Sequence, residues 1–162
     1  GGSLIADNAV LTSASCADFY RFSVVQMGAH GGEGPAGVTA DIKKVVFHPE
    51  YDDNDLENDI AVLILDRRIE GIRPVCMADP TREITSGQQL YILGWGNTKF
   101  TGDWGHSKEL LEAGVNYISN EECDWVDTEM CTLTEEKGVC QGDGGGPLIA
   151  KGEDADEDML VE

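Results

Sequence analysis

The residues that could do chemistry fall in a few short blocks of this 162-residue chain. The run CQGDGGGPL at residues 140–148, glycine-rich before a proline, is by itself typical of a tight loop, and Asn58–Asp59 before an apolar run is typical of the start of a strand. The acidic run DDND at residues 52–55 offers carboxylates to calcium, but no EF-hand glycine or bidentate glutamate follows in register. We therefore interpret the acidic run as a solvated loop and expect no metal site there.

Four further blocks stand in a fixed order with the 140–148 run. They are GGSLI at residues 1–5, LTSASC at 11–16, NDIAVL at 58–63 and GWG at 94–96. In this order the blocks resemble the trypsin-like serine proteases (peptidase S1), and the resemblance covers nearly the whole chain. It implies an all-β fold of two antiparallel, six-stranded-type barrels, 1–75 and 76–162. Both barrels are expected to be incomplete, because the family's first strand region and its last strands and closing helix lie outside the sequence.

The resemblance implies three catalytic positions, and two of them lack the family's residue. Asp59 matches the acid, but Ser15 stands where the family has histidine and Gly144 where it has the nucleophilic serine. Acyl transfer needs a hydroxyl nucleophile, a base that takes its proton and donors for the oxyanion. Since serine cannot act as a base near neutral pH, we predict no meaningful peptidase activity and a hydrogen bond from Ser15 to Asp59, direct or through water. His48 is interpreted as an ordinary structural or surface histidine rather than a substitute base.

Other site positions follow from the same resemblance. The backbone amides of Gly142 and Gly144 would form the oxyanion hole, since they need no side chain. Asp143 matches the family's acid that pairs with a newly released amino terminus; that terminus is absent from this sequence, so a collapsed or mobile hole is expected. Gly138 stands at the bottom of the specificity pocket, where an aspartate would have predicted recognition of arginine or lysine.

The five cysteines are an odd number, so at least one has no partner within the chain. By resemblance, only Cys123 and Cys131 keep both halves of a family disulfide. The partners of Cys16 and Cys140 would lie outside the sequence, as would the segment that Cys76 bonds in many relatives. This pattern predicts descent from secreted, disulfide-bonded proteins and an extracellular location.

Charge limits the partners of this protein. The formal net charge is -20, from 31 acidic against 11 basic residues, which argues against binding nucleic acid or an anionic membrane. We expect a monomer that needs no cofactor and that binds a protein or peptide ligand, with the charge favouring a basic one. There is no signal peptide or membrane-length apolar run. Because the sequence starts inside a family motif, the absence of a signal peptide gives no information about secretion.

Turn residues and apolar patterns predict the elements. Strands are expected at residues 3–6, 9–12, 21–28, 38–47, 60–65, 88–96, 110–118, 147–150 and 158–161, and a helix from residue 120, capped by Ser119 or Asn120. Surface loops are expected at residues 30–37 and 97–105, and an exposed acidic loop at 151–157.

The sequence is consistent with three hypotheses about function. The first is a pseudo-protease, a truncated homologue that binds proteins through its loops without cleaving them. The second is a serine endopeptidase whose sequence here is incomplete or altered. The third is a chain that does not fold stably, because missing barrel strands leave open sheet edges and unpaired cysteines.

Overall fold

A computed structural model describes residues 1–31, 37–79, 81–99, 105–123, 130–135 and 137–161. Strands dominate this part of the chain and form two sheets, each with its own hydrophobic core. The all-β prediction is confirmed.

The first sheet has the strand order β1-β2-β5-β4-β3 and is antiparallel throughout. Its strands are β1 (Ser3–Ala6), β2 (Ala9–Thr12), β3 (Val24–Met27), β4 (Val38–Phe47) and β5 (Ala61–Leu65). The central strand β5 alternates buried and half-buried residues, because successive side chains point to opposite faces. Ala61, Leu63 and Leu65 therefore lie in the core.

A short helix, α1 (Ala14–Tyr20), follows β2, and the sequence patterns did not lead us to predict it. Ser13 caps the helix, since its side chain accepts a hydrogen bond from a backbone amide of the first turn. The small residues Ala14 and Ala17 let the helix pack closely against the first core. This packing places Ser15 in the first turn, at the end of β2.

The second sheet has the strand order β6-β11-β10-β7-β8-β9. Its strands are β6 (Cys76–Met77), β7 (Gln89–Gly94), β8 (Leu111–Ile118), β9 (Cys131–Leu133), β10 (Leu148–Ala150) and β11 (Met159–Leu160). Neighbouring strands are antiparallel except β6 and β11, which are parallel. Leu90, Val115, Leu148 and Ala150 form the core of this sheet. Helix α2 (Asn120–Cys123) lies between β8 and β9, and a single 3-10 turn (Ala155–Glu157) precedes β11.

Most predicted strands are present with small changes at their ends. The strand predicted at 21–28 is shorter, Val24–Met27, because Arg21 adopts a left-handed conformation (φ 47°) where α1 ends. The strands β6 and β9 were not predicted, since each has only two or three residues. Ser119 caps α2, accepting a hydrogen bond from the amide of Glu122. The predicted loops at 30–37 and 97–105 lie partly outside the described residues.

The segment that connects the two sheets forms a hydrogen bond to each of them. The amide of Val75 donates to the carbonyl of Leu4 (2.9 Å), and the amide of Ala78 donates to that of Leu160 (2.8 Å). The division into domains 1–75 and 76–162 stays a prediction.

Candidate active site

Strand pairing brings Ser15 and Asp59 together. The pair Thr12 and Ala61 lies at the ends of β2 and β5, where α1 begins and where Asp59 precedes its strand. The amide of Ser15 donates to Oδ1 of Asp59 at 2.6 Å, and its hydroxyl donates to Oδ2 at 2.7 Å. The predicted hydrogen bond is therefore direct, and both carboxylate oxygens have a partner in Ser15.

In the described part of the chain, this carboxylate has no histidine partner. The chain has three histidines, and all lie in the described residues. Nδ1 of His48 accepts a hydrogen bond from the amide of Glu50 (3.2 Å), which makes this imidazole part of a local turn. Within the described ranges, none of the hydrogen bonds joins a histidine to Ser15 or Asp59.

Gly144, the predicted position of the nucleophile, lies beside α1. A side chain at Gly144 would begin 3.2 Å from Sγ of Cys16, the residue that follows Ser15, and would meet no other non-neighbouring atom within 4 Å. The carbonyl of Gly144 accepts a hydrogen bond from the nitrogen of Gly1 (2.6 Å). The three predicted catalytic positions thus converge on one end of α1, although their catalytic roles stay a prediction.

The loop around Gly144 depends on glycine at two positions. Gly142 (φ 102°) and Gly145 (φ 72°) adopt conformations that other residues rarely reach. Gly145 also packs tightly, since an added Cβ would lie 2.8 Å from the carbonyl oxygen of Gly1 and would overlap the hydroxyl of Thr12. Among the hydrogen bonds of the described residues, none uses the amides of Gly142 or Gly144 as donors. The collapse of the oxyanion hole stays a prediction.

The carboxylate of Asp143 accepts hydrogen bonds from two backbone amides of the second sheet's loops. Gly96 donates to Oδ1 at 2.7 Å and Cys140 donates to Oδ2 at 3.0 Å. A Cβ added at Gly94 or Gly96 would overlap this carboxylate. The glycines on both sides of Trp95 are therefore needed to make room for Asp143, a long-range contact that local patterns do not show.

Gly138 lines a cavity of about 280 Å³ together with Asp143. Apolar residues such as Leu93, Leu111 and Val139 form part of its wall. A Cβ at Gly138 would meet nothing within 4 Å, so a side chain here would project into open space. Its predicted role in specificity stays a prediction.

His106 is a neighbour of this site that sequence reasoning missed. An added Cβ at Gly142 would lie 2.6 Å from Nδ1 of His106, so the imidazole is packed directly against the glycine-rich loop. The side chain is exposed. No sequence signal could have located it, since it lies outside every matched block and 36 positions before Gly142 in the numbering.

One pair of cysteines is bonded as the resemblance implied. Cys123 and Cys131 form a disulfide, and this prediction is confirmed. Cys16, Cys76 and Cys140 are free. Within the described part of the chain, no helix is long and apolar enough to cross a membrane, and no group of three or more histidine, cysteine or acidic side chains is arranged to hold a metal ion.

Comparison with known proteins identifies the family. The family profile described as Trypsin matches residues 1–159. The chain is 33% identical to a protein named Chymotrypsin from Phaedon cochleariae, over 92% of this chain and 58% of that protein. It is 32% identical both to the Venom serine protease Bi-VSP of Bombus ignitus (92% of this chain, 47% of the relative) and to the Serine protease Hayan of Drosophila melanogaster (96% and 28%). The chain thus spans between 28% and 58% of the length of these curated relatives. From its blocks, its fold and these matches, the chain belongs to the trypsin family of serine proteases.

Proposed function

We propose that this protein is a catalytically inactive trypsin-like homologue that acts by binding other proteins. The observation that carries the proposal is the contact between Ser15 and Asp59. A serine occupies both oxygens of the acid that would orient a catalytic histidine, and no side chain extends from Gly144 opposite.

The missing groups are those that catalysis by this fold requires. The acid of a triad acts only by orienting an imidazole and stabilising its cation, so Asp59 has nothing to act on. Losing nucleophile and base together costs on the order of 10⁶ in turnover of a triad enzyme. The amides of Gly142 and Gly144 alone would stabilise an oxyanion and so give only a small residual rate enhancement.

The nearby thiol of Cys16 does not restore the pair. A cysteine nucleophile needs an activating base or a depressed pKa. Within the described residues, Cys16 has no hydrogen bond to a histidine, and the imidazole of His106 packs against Gly142. Both the residue identities and the absence of an imidazole bonded to Cys16 support the proposed inactivity.

The alternative function is that of a serine endopeptidase, for which this sequence is incomplete or altered. Family membership favours it, and each of the three relatives is named as a protease or as chymotrypsin. The retained acid, Asp59, also fits an active ancestor. Neither observation supplies a nucleophile at residue 144.

Fluorophosphonate labelling with a peptide-library cleavage assay separates the two functions. We expect the purified protein to show neither labelling nor cleavage. The Ser15→His, Gly144→Ser double variant tests whether the site can assemble, with each single variant as its control. Specific labelling or cleavage by the unaltered protein would overturn the proposed function.

We further propose that the protein is extracellular. The Cys123–Cys131 disulfide supports this, because such bonds persist in oxidising compartments. The name of one relative places that protein in venom. Fractionation of expressing cells and culture medium, with the native disulfide scored by mass spectrometry, tests the location; retention of reduced protein in the cytosol would contradict it.

A further inference from the structure

Three aromatic side chains at the end of α1 form an exposed surface, which we call the aromatic surface: Phe19, Tyr20 and Phe22. They are 80%, 63% and 44% exposed. The rings of Phe19 and Tyr20 meet edge to face at 4.9 Å, and those of Tyr20 and Phe22 stack at 5.5 Å. A soluble protein rarely exposes adjoining large aromatic rings without a partner for them.

The aromatic surface continues from the Ser15 site. Positions three and four apart lie on the same face of a helix, so Asp18 and Phe19 follow Ser15 along one side of α1. The buried positions Ala14 and Ala17 hold another side of the helix against the core. Tyr20 and Phe22 join Phe19 through the ring contacts and not through the helix face that bears Ser15. A ligand on this face would therefore lie next to the position of the missing histidine.

Carboxylates border the same region. Tyr51 packs against the first core, to which Ala14 and Ala17 of α1 belong, and Asp52 and Asp53 follow it directly in the chain. Partial burial, and then the negative charges of Asp59, Asp18, Asp53 and Asp52, raise the pKa of Tyr51. The described residues give none of these four carboxylates a salt bridge. In the stretch 13–24, Asp18 is the only acidic residue and Arg21 is the only basic one, so these two charges balance. The excess of negative charge in this region therefore comes from Asp52, Asp53 and Asp59.

We propose that the aromatic surface, together with Asp18 and the Asp52–Asp53 pair, binds a cationic polypeptide segment of a partner protein. This rests on the proposed non-catalytic function and names its partner. Arginine and lysine side chains stack on aromatic faces, and neighbouring carboxylates complement their charge. The net charge of -20 favours the approach of such a segment and disfavours nucleic acid or an anionic membrane.

The test measures binding of a fluorescein-labelled peptide of alternating arginine and glycine at physiological ionic strength, with the glutamate counterpart as a negative probe. The Phe19→Ala, Tyr20→Ala, Phe22→Ala triple variant should weaken binding about tenfold, since each exposed ring contributes a modest cation–π attraction. Its matched control replaces Leu133 and Val139 with alanine; these residues are 67% and 71% exposed on the second half of the chain. The control should bind like the unaltered protein.

A second pair of variants separates local from overall charge. Asp18→Asn with Asp53→Asn removes two charges beside the surface, and Glu83→Gln with Glu121→Gln removes two from exposed positions of the second half. Only the first pair should weaken binding, by about threefold or more, because distant surface charges are screened. Equal losses in both pairs would overturn the proposed location.

Two further outcomes would overturn the proposed binding of a cationic segment. Unchanged binding by the triple variant, or by Phe19→Ala alone if the triple variant unfolds, overturns the proposed surface. Concentration-dependent dimers in sedimentation, abolished by the triple variant, would make a second copy the occupant and overturn the cationic partner. Fluorophosphonate labelling of the same samples reports separately on the proposed function, so the failure of one proposal is distinguished from that of the other.

Discussion

The hydroxyl and the amide of Ser15 divide the two carboxylate oxygens of Asp59 between them, at 2.7 and 2.6 Å. An isolated, partly buried carboxylate would be costly, but hydrogen bonds to its charged form offset that cost. The acid has thereby become part of the scaffold that holds the start of α1 to the start of β5.

Replacement of Ser15 by alanine removes one of these hydrogen bonds. We expect Ser15→Ala to lower the free energy of unfolding by about 1–2 kcal/mol, since hydrogen bonds to charged groups are worth more than neutral ones. Urea unfolding followed by circular dichroism measures the change. The matched control is Ser86→Ala, whose hydroxyl donates to Glu122 at 2.6 Å on the exposed surface. A loss at Ser86 as large as that at Ser15 would contradict a special role for the Ser15 contact.

Two neighbouring glycines of the glycine-rich loop should differ in how much an alanine substitution destabilises the protein. Gly145→Ala should destabilise the protein by about 2 kcal/mol or more, because φ is 72° and the new Cβ would collide with backbone atoms of Gly1 and Ser13. Gly144→Ala should cost less than about 1 kcal/mol, since only Sγ of Cys16, 3.2 Å away, must shift. Thermal unfolding of both variants checks the order. If Gly144→Ala were the more damaging, Gly145 would not be held as tightly between Gly1 and Ser13 as this loop geometry requires.

The sequence pattern predicted those elements whose structure depends on residues close together in the chain. The hairpin β1–β2 follows from the turn residues Asp7–Asn8 between two short apolar runs, and its bounds are those predicted. The long strand β4 and the disulfide partners Cys123 and Cys131 were also found. The disulfide came from the family resemblance, because spacing alone does not fix connectivity.

Contacts between distant residues could not be predicted in this way. Gly96 and Asp143 are 47 positions apart, and nothing near either residue shows that the carboxylate lies between two glycines. The parallel pairing of β6 with β11 joins Cys76 to Met159, which no turn signal connects. Helix α1 differs from these contacts, because its signals are local: Ser13 is an N-cap residue, and Ala14 and Ala17 are spaced to share one helix face.

The disulfide between Cys123 and Cys131 closes a loop with a sequence separation of 8. In the chain-entropy description, closing so short a loop stabilises the folded state by about 2.5 kcal/mol. We expect the Cys123→Ser, Cys131→Ser double variant to lose roughly that free energy of unfolding. Cys76→Ser provides the control, because Cys76 is free and exposed. Equal stability of the double variant and the control in urea would show that the bond contributes nothing.

The phenol of Tyr51 reports on the carboxylates beside the aromatic surface. Its pKa should lie above the ordinary value of 10.0, first because of partial burial and then because of Asp59, Asp18, Asp53 and Asp52. A raised folded-state pKa gives stability that is complete below the unfolded-state pKa and is lost as pH rises through the folded-state pKa, so this contribution disappears above about pH 10. Ultraviolet titration of the unaltered protein against Tyr51→Phe isolates this phenol.

The same titration on the asparagine variants tests which charges are responsible. Asp18→Asn with Asp53→Asn should lower the pKa of Tyr51 toward its ordinary value without abolishing the shift, because burial and Asp59 still act on the phenol. Glu83→Gln with Glu121→Gln should leave it unchanged, since both residues lie on the other half of the chain. An unchanged pKa in the first pair would mean that Asp18 and Asp53 do not face Tyr51, and the acidic border of the aromatic surface would then lose its support.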